Sequence, residues 1–228
     1  MAHAVIIAGT GRYDDPWHDF PATSYQIAAV LQDSGISCEV RGTKPTTFRA
    51  LADADLVVVN SGKGWNVDLD SADQRWTDAH KVLIEYIQAG RPLIGVHTAC
   101  NTFHDVPGWY ERLGVRWTAD SMHPPISRAR VEIADAQHPI VDGLESFEVF
   151  DERYSYLQAD NDRQVLVSQQ HDDRPHPLVV VSDDPDRRTV YDALGHGVES
   201  YESPERRRLL AREAAWALGL DDPKVRAL

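Results

Sequence analysis

Residues 91–101 read RPLIGVHTACN. Pro92 to Val96 is apolar almost throughout and gives way at once to His97, Thr98, Ala99 and Cys100, a turn-sized group of small and polar residues. A short apolar run bounded by turn formers is the mark of a strand buried on both faces, as in a parallel sheet covered by helices. In several α/β enzymes a sharp Gly-x-nucleophile-x-small turn after such a strand lifts a catalytic side chain above the sheet, and the neighbours are small because the turn is tight. Gly95-Val96-His97-Thr98-Ala99 has that spacing, with His97 at the apex. An imidazole serves there as acid, base or metal ligand. Cys100 falls inside the first turn after the bend, where a thiol packs as a small hydrophobe.

The same pattern recurs outward from this segment. His3 to Ala8 is an apolar run closed by Gly9-Thr10-Gly11, and Leu56 to Val59 is another, closed by Asn60-Ser61-Gly62. Between them, Pro21 to Ser34 carries Tyr25, Ile27, Ala28, Val30 and Leu31 at helical spacing and stops at Gly35; Cys38 to Arg41 is the next strand. Ser71 and Gln74 form a capping box before Trp76, Ala79, Leu83 and Tyr86, which predicts a helix ended by Gly90 and Pro92. Beyond residue 105 the alternation weakens. Val131, Ile133, Phe147, Val149, Val165, Val167, Leu178 and Val180 point to short strands of a mixed sheet, with Asp183 to Arg188 an exposed hairpin turn. Val190 to Leu194 is a strand ending at Gly195-His196, and Ser203-Pro204 opens a last helix with Leu209, Leu210, Ala214, Trp216 and Ala217 on its apolar stripe. The expectation is one three-layer α/β domain over residues 1–220 with a mostly parallel central sheet, additional short strands in the C-terminal half, and a short tail at 221–228.

A chain of 228 residues buries a substantial core without disulfides, and its 42% hydrophobic and 26% charged residues are ordinary for a globular protein. Its formal net charge of −13 repels nucleic acid and anionic membrane surfaces, which excludes both as expected partners and favours neutral or cationic ligands. Two cysteines, Cys38 and Cys100, make no disulfide framework and no paired zinc motif, so a cytoplasmic setting is expected. The opening MAHAVIIAG has no basic stretch and reads as a strand; no later run reaches membrane-spanning length.

In open parallel sheets the ligand lies beyond the carboxyl ends of the strands. That rule gathers His18 and Asp19 with Tyr13 and Trp17, then Lys63 and Trp65 with Asn60, then His97 and Thr98, and finally His196 beside Gly195, where a glycine leaves room for a ligand. Aromatic faces and imidazoles in an acidic protein suit a sugar-like polyol better than a phosphorylated compound. Position 14, where a dinucleotide fingerprint beginning at Gly9 and Gly11 needs glycine, is Asp14, and Gly62-Lys63-Gly64 lacks the P-loop spacing. No cofactor is assigned. Asp151 and Glu152 are candidate carboxylates, but adjacent residues of a strand point to opposite faces, so one lines a pocket and the other is structural. His97 and His104 are about 10 Å apart along a continuous helix, too far for one ion. A metal site needs separate loops, such as those of His18, His97 and His196 with a carboxylate; sequence does not show that they meet, and no metal is assigned.

His18-Asp19-Phe20, Gly95-Val96-His97-Thr98-Ala99, His138-Pro139-Ile140 with Gly143-Leu144, Asp151-Glu152 with Tyr154, Leu194-Gly195-His196 and Trp216-Ala217 resemble, in type and order, the landmarks of the trehalose-utilisation or ThuA-like family of the class I glutamine amidotransferase-like fold. The chain departs from that family where Asp186-Arg187-Arg188 replaces a Gly-Lys-Gly-Arg turn and where a tryptophan after His176-Pro177 is absent. The resemblance implies a flavodoxin-like sheet and a link to disaccharide or oxidised-sugar metabolism. Because an imidazole does not replace a thiolate in forming a thioester, glutaminase chemistry is not expected. The expected function is an isomerase, lyase or hydrolase acting on a disaccharide or keto-sugar by proton transfer, with catalytic His97, His196, Asp151 and Glu152 and substrate-binding His18, Asp19, Lys63, Trp65 and Thr98. The alternatives are a non-catalytic sugar-binding or regulatory module and a metal-dependent hydrolase. A carbohydrate ligand is the expected partner, with homo-oligomerisation left open.

Overall fold

The runs that are apolar at almost every position become the middle of one large sheet. In the computed structural model, which describes residues 2–63, 73–134, 137–182 and 184–228, β1 (His3–Ala8) leads through α1 (Phe20–Asp33) to β2 (Ser37–Gly42). β3 (Leu56–Asn60), α2 (Gln74–Gln88) and β4 (Leu93–Val96) complete the N-terminal alternation. Then come α3 (Trp109–Leu113), β5 (Val115–Arg116), β6 (Ser127–Ile133), β7 (Phe147–Asp151), β8 (Gln158–Ala159), β9 (Arg163–His171), β10 (Arg174–Ser182) and β11 (Thr189–Asp192). The chain closes with α4 (Pro204–Ala217) and α5 (Asp222–Arg226).

Nine strands form one sheet in the order β2-β1-β3-β4-β11-β10-β9-β6-β7, while β5 and β8 pair separately. β2, β1, β3, β4 and β11 are mutually parallel; from β11 onward through β10, β9, β6 and β7 every pairing is antiparallel. Burial follows the pairing. β3, β4 and β11 are buried at every position, as strands covered on both faces must be. β7 instead alternates buried and exposed residues, the pattern of a strand with one wetted face. β10, β9, β6 and β7 thus extend the parallel sheet as an antiparallel half, and β9 and β10, at nine residues each, are longer than the scattered valines suggest.

Helix ends follow local chemistry. The Asp19 carboxylate accepts from Ala22 N (3.0 Å) at the start of α1, and the Ser203 hydroxyl accepts from Arg206 N (3.2 Å) at the start of α4 with Pro204 in the first turn. The N-cap of α2 is Asp73, which accepts from Arg75 N (3.0 Å); the Ser71 half of the expected capping box lies outside the described residues. The final residues are not a plain tail. α5 packs on α4, with Arg212 donating to the Arg226 carbonyl (2.7 Å) and Arg226 to Asp142 (2.5 Å). No helix among the described residues is long and apolar enough to cross a membrane.

The sheet and α4 are joined by a charged contact. Arg206 of α4 meets Asp192, the last residue of β11, at 2.7 Å, and neither side chain is exposed. Burial raises the carboxyls of Asp192 and of the neighbouring Glu213, while the Arg206 guanidinium opposes that rise. Removing one partner of such a pair strands the other charge in a dry interior. Arg206→Ala is therefore expected to destabilise the fold by about 3–5 kcal/mol, measured as the shift of the urea unfolding midpoint against wild type.

Candidate functional site

The bend after β4 has the expected sharpness. His97 has φ 49°, in the left-handed region that side chains other than glycine seldom adopt. Gly95 is required just before it, because a Cβ there would lie 2.5 Å from Leu113 Cδ1 and 3.0 Å from Ala99 Cβ. The chain leaves the bend in a short 3-10 turn, His97–Asn101. Three groups hold the strained residue: its Nδ1 donates to the Ala193 carbonyl (2.6 Å), and its own carbonyl accepts from Tyr191 Oη (2.9 Å) and Cys100 Sγ (3.5 Å). The His97 ring does not open to solvent. It is 1% exposed and stacked on Tyr154 with centroids 4.2 Å apart. Burial is the leading influence on it and lowers its pKa.

The His97 ring faces Glu152. Its Nε2 lies 3.2 Å from Glu152 Oε2, and the same oxygen is 3.3 Å from His196 Nδ1 and 3.8 Å from His18 Nε2. The other carboxylate oxygen, Oε1, is 3.1 Å from His123 Nε2. Four imidazoles from four loops thus surround one buried carboxylate. Burial acts to raise the Glu152 carboxyl, but His18, His196 and His97 outweigh it and hold it well below the usual carboxylate range. For His18, burial opposes the charge, yet Asp15 and Glu152 raise its pKa to about 9. His18 Nδ1 donates to Asp15 Oδ1 at 2.6 Å, and Gly62 lets Asp15 in, since a Cβ at that position would lie 2.4 Å from Asp15 Oδ2.

Most of these groups line a cavity of about 410 Å³ together with Lys63, Thr98, Asn101, Trp17, Trp117, Ile126 and Tyr154, while His97 lies just outside the lining. Trp17 is 62% exposed at the rim. The site sits where the strand order predicts, beyond the carboxyl ends of β1, β3, β4 and β11.

Several expected assignments change. Asp151 does not face the cavity: it is buried and accepts from Gly195 N (2.8 Å), His196 N (3.0 Å) and Ser200 Oγ (2.6 Å), so it ties the end of β7 to the loop after β11 and thereby positions both Glu152 and His196. Glu152 is the carboxylate of the site, as strand parity required of one of the two. Asp19 is exposed and spent on capping α1. The fold itself requires a glycine at 195: its φ is +112° and a Cβ would stand 2.6 Å from Tyr201 Oη. Trp65 lies outside the described residues. Thr98 and Lys63 line the cavity, the Thr98 hydroxyl donating to the Ser61 carbonyl (2.8 Å). Cys100 is sealed in the core, where burial pushes its thiol up to about 12, far from a reactive thiolate.

Sequence reasoning missed His123 and Asp15. Asp15 carries a readable signal, a carboxylate three residues before a histidine in a turn. His123 carries none, because it comes to Glu152 only through the pairing of Met122 with Ser155 (Met122 N to Ser155 O, 3.1 Å; Ser155 N to Met122 O, 2.7 Å).

Comparison with known proteins bears on the fold and the family. A ThuA-like protein from Parabacteroides merdae superposes with TM-score 0.75 at 18% identity, covering 96% of this chain and 90% of that one. A glutamine amidotransferase from Thermotoga maritima superposes with TM-score 0.53 at 13% identity over 99% and 96% of the two chains. Part of a β-galactosidase from Rahnella sp. R3 is also similar, with TM-score 0.58, 15% identity and coverage of 93% of this chain and 31% of that one. A search of curated proteins returns no match. The family model described as trehalose utilisation matches residues 5–217, nearly the whole alternation of strands and helices together with every loop of the cavity floor, and the chain belongs to this ThuA family, with a role in carbohydrate metabolism.

Proposed function

We propose that this protein is an enzyme that isomerises, eliminates or hydrolyses a disaccharide or keto-sugar at the His-lined cavity, by proton transfer and without a covalent cysteine intermediate. The observation that carries the proposal is the Glu152 carboxylate, buried and ringed by imidazoles at the bottom of an aromatic-rimmed cavity. Burying ionisable groups around a carboxylate costs stability, and such arrangements concentrate at sites of chemistry. A cavity of this size admits one or two sugar rings. Trp17 and Trp117 offer flat apolar faces for the C–H side of a pyranose, while Asn101, Thr98 and Lys63 offer polar partners for its hydroxyls.

The roles differ from those expected at first. His97 contacts Glu152 but does not line the cavity, and its role in this reading is to fix the carboxylate. His123, with 41% of its side chain exposed, is the most accessible imidazole on Glu152 and is placed to carry protons between substrate and water. The carbohydrate ligand remains the proposed partner. The cysteine-dependent route is disfavoured by the sealed Cys100.

Steady-state turnover of oxidised and unoxidised disaccharides tests this. His123→Ala is expected to lower kcat by about 10²–10⁴-fold, the usual contribution of a positioned acid or base, whereas Cys100→Ala keeps wild-type turnover. Trp17→Ala is expected to raise KM by up to about tenfold with little change in kcat, the loss of one stacking face. Wild-type protein that is thermally stabilised by these sugars yet turns over none of them would instead make the domain a binding module.

A further inference from the structure

The donor atoms of His18, His97, His196 and Glu152 all lie within 4.8 Å of one another. The far sides of two of the rings are already committed. His97 Nδ1 gives its proton to the Ala193 carbonyl and His18 Nδ1 gives its proton to Asp15, so the nitrogen each ring turns toward Glu152 carries the lone pair when the ring is neutral. A lone pair aimed at a carboxylate oxygen is repulsive, so either a proton or a cation lies between them. Moreover, His18 Nε2 and His196 Nδ1 are buried and make no hydrogen bond, although they stand 3.8 and 3.3 Å from Glu152 Oε2. Buried polar atoms left this way call for an explanation, and a cation between them supplies one.

The spacing fits as well. Four donors placed tetrahedrally about 2.1 Å from one ion are about 3.4 Å from each other; here the three nitrogens are 3.2, 3.3 and 3.8 Å from Oε2. The surroundings are those of a metal centre. A histidine backed by a carboxylate and another backed by a backbone carbonyl are the usual outer-sphere partners of ligating imidazoles, since they fix the tautomer and the ring orientation. Three imidazole nitrogens and one carboxylate oxygen, with no sulfur, favour zinc, iron, nickel or a similar ion over magnesium or calcium.

We infer that His18, His97, His196 and Glu152 bind one divalent transition-metal ion of the zinc type, with Asp15 as the residue that orients His18. Three of the four ligands line the cavity, so the ion borders the space open to a sugar. There a metal polarises a carbonyl or activates a water. That use rests on the proposed carbohydrate chemistry; the binding itself does not. His123 stays outside the ligand set and remains available for proton transfer.

The test is binding of Zn²⁺ alone to full-length protein stripped with a chelator, followed by calorimetry and by elemental analysis after gel filtration. One ion per chain is expected, with a rise in melting temperature, because a ligand that binds only the native state stabilises it. His196→Gln and Glu152→Gln are expected to weaken binding by more than about 100-fold and Asp15→Asn by about 10–100-fold, while His123→Ala binds like wild type. Since substitution of the fully buried His97 endangers folding, His196→Gln, at a partly exposed side chain, is the deciding variant, checked for native circular dichroism. Wild type that retains less than about one ion in five chains, or binding that His196→Gln leaves unchanged, overturns the inference and leaves a cluster of protonated imidazoles around Glu152. Stoichiometric zinc without turnover of any sugar upholds the metal site and removes the carbohydrate enzyme; turnover by protein shown to be metal-free upholds the enzyme and removes the ion from its chemistry.

Discussion

A carboxylate taken out of water must be met by positive charge or hydrogen-bond donors, and the functional end of this molecule is arranged around that requirement. Glu152 stands at the end of an edge strand, far along the sheet order from β4, yet His97 of the β4 bend touches it. The link is Asp151. Its carboxylate accepts from two successive backbone amides and a serine in the segment after β11, which draws the tip of β7 over the sheet end. One residue thus secures the backbone of two site elements, and its neighbour receives the imidazoles they bring.

The bend after β4 shows how strain is retained when surrounding contacts over-determine it. A histidine at φ 49° is disfavoured by about 1–3 kcal/mol. The cost is offset because the Ala193 carbonyl holds the ring while Tyr191 and Cys100 hold the carbonyl. Small neighbours make the turn sterically possible, and Tyr154 closes over the ring. Where such a bend carries a nucleophile it exposes the apex; here the imidazole at the apex is buried and turned toward the Glu152 carboxylate.

The architecture was legible because burial on both faces imposes continuous apolar runs. His3–Ala8 matches β1 residue for residue, and the runs at 56 and 92 lead into β3 and β4. The antiparallel half was less clear, since strands with one wetted face alternate and break at loops; β9 also bulges against β10 near Pro177 to Val180. For the site, the rule that ligands gather beyond the carboxyl ends named His18, Thr98, Lys63 and His196, which line the cavity, and His97, which touches Glu152. It misjudged Asp19, whose side chain local backbone amides claim first, and explained Gly195 by a ligand where the approach of Tyr201 already requires a glycine.

The sequence alone determined the parallel core and the histidine, in place of a serine or cysteine, at the apex of the bend, because strand periodicity and turn chemistry act over a few neighbouring residues. Only the tertiary structure decided that Glu152 and not Asp151 faces inward, that His123 joins it, and that His18, His97 and His196 aim their second nitrogens at one oxygen. Those facts depend on contacts spanning 44 residues from Asp151 to Gly195 and 96 from His97 to Ala193. No local pattern encodes the distance between two loops; the packing of the sheet sets it.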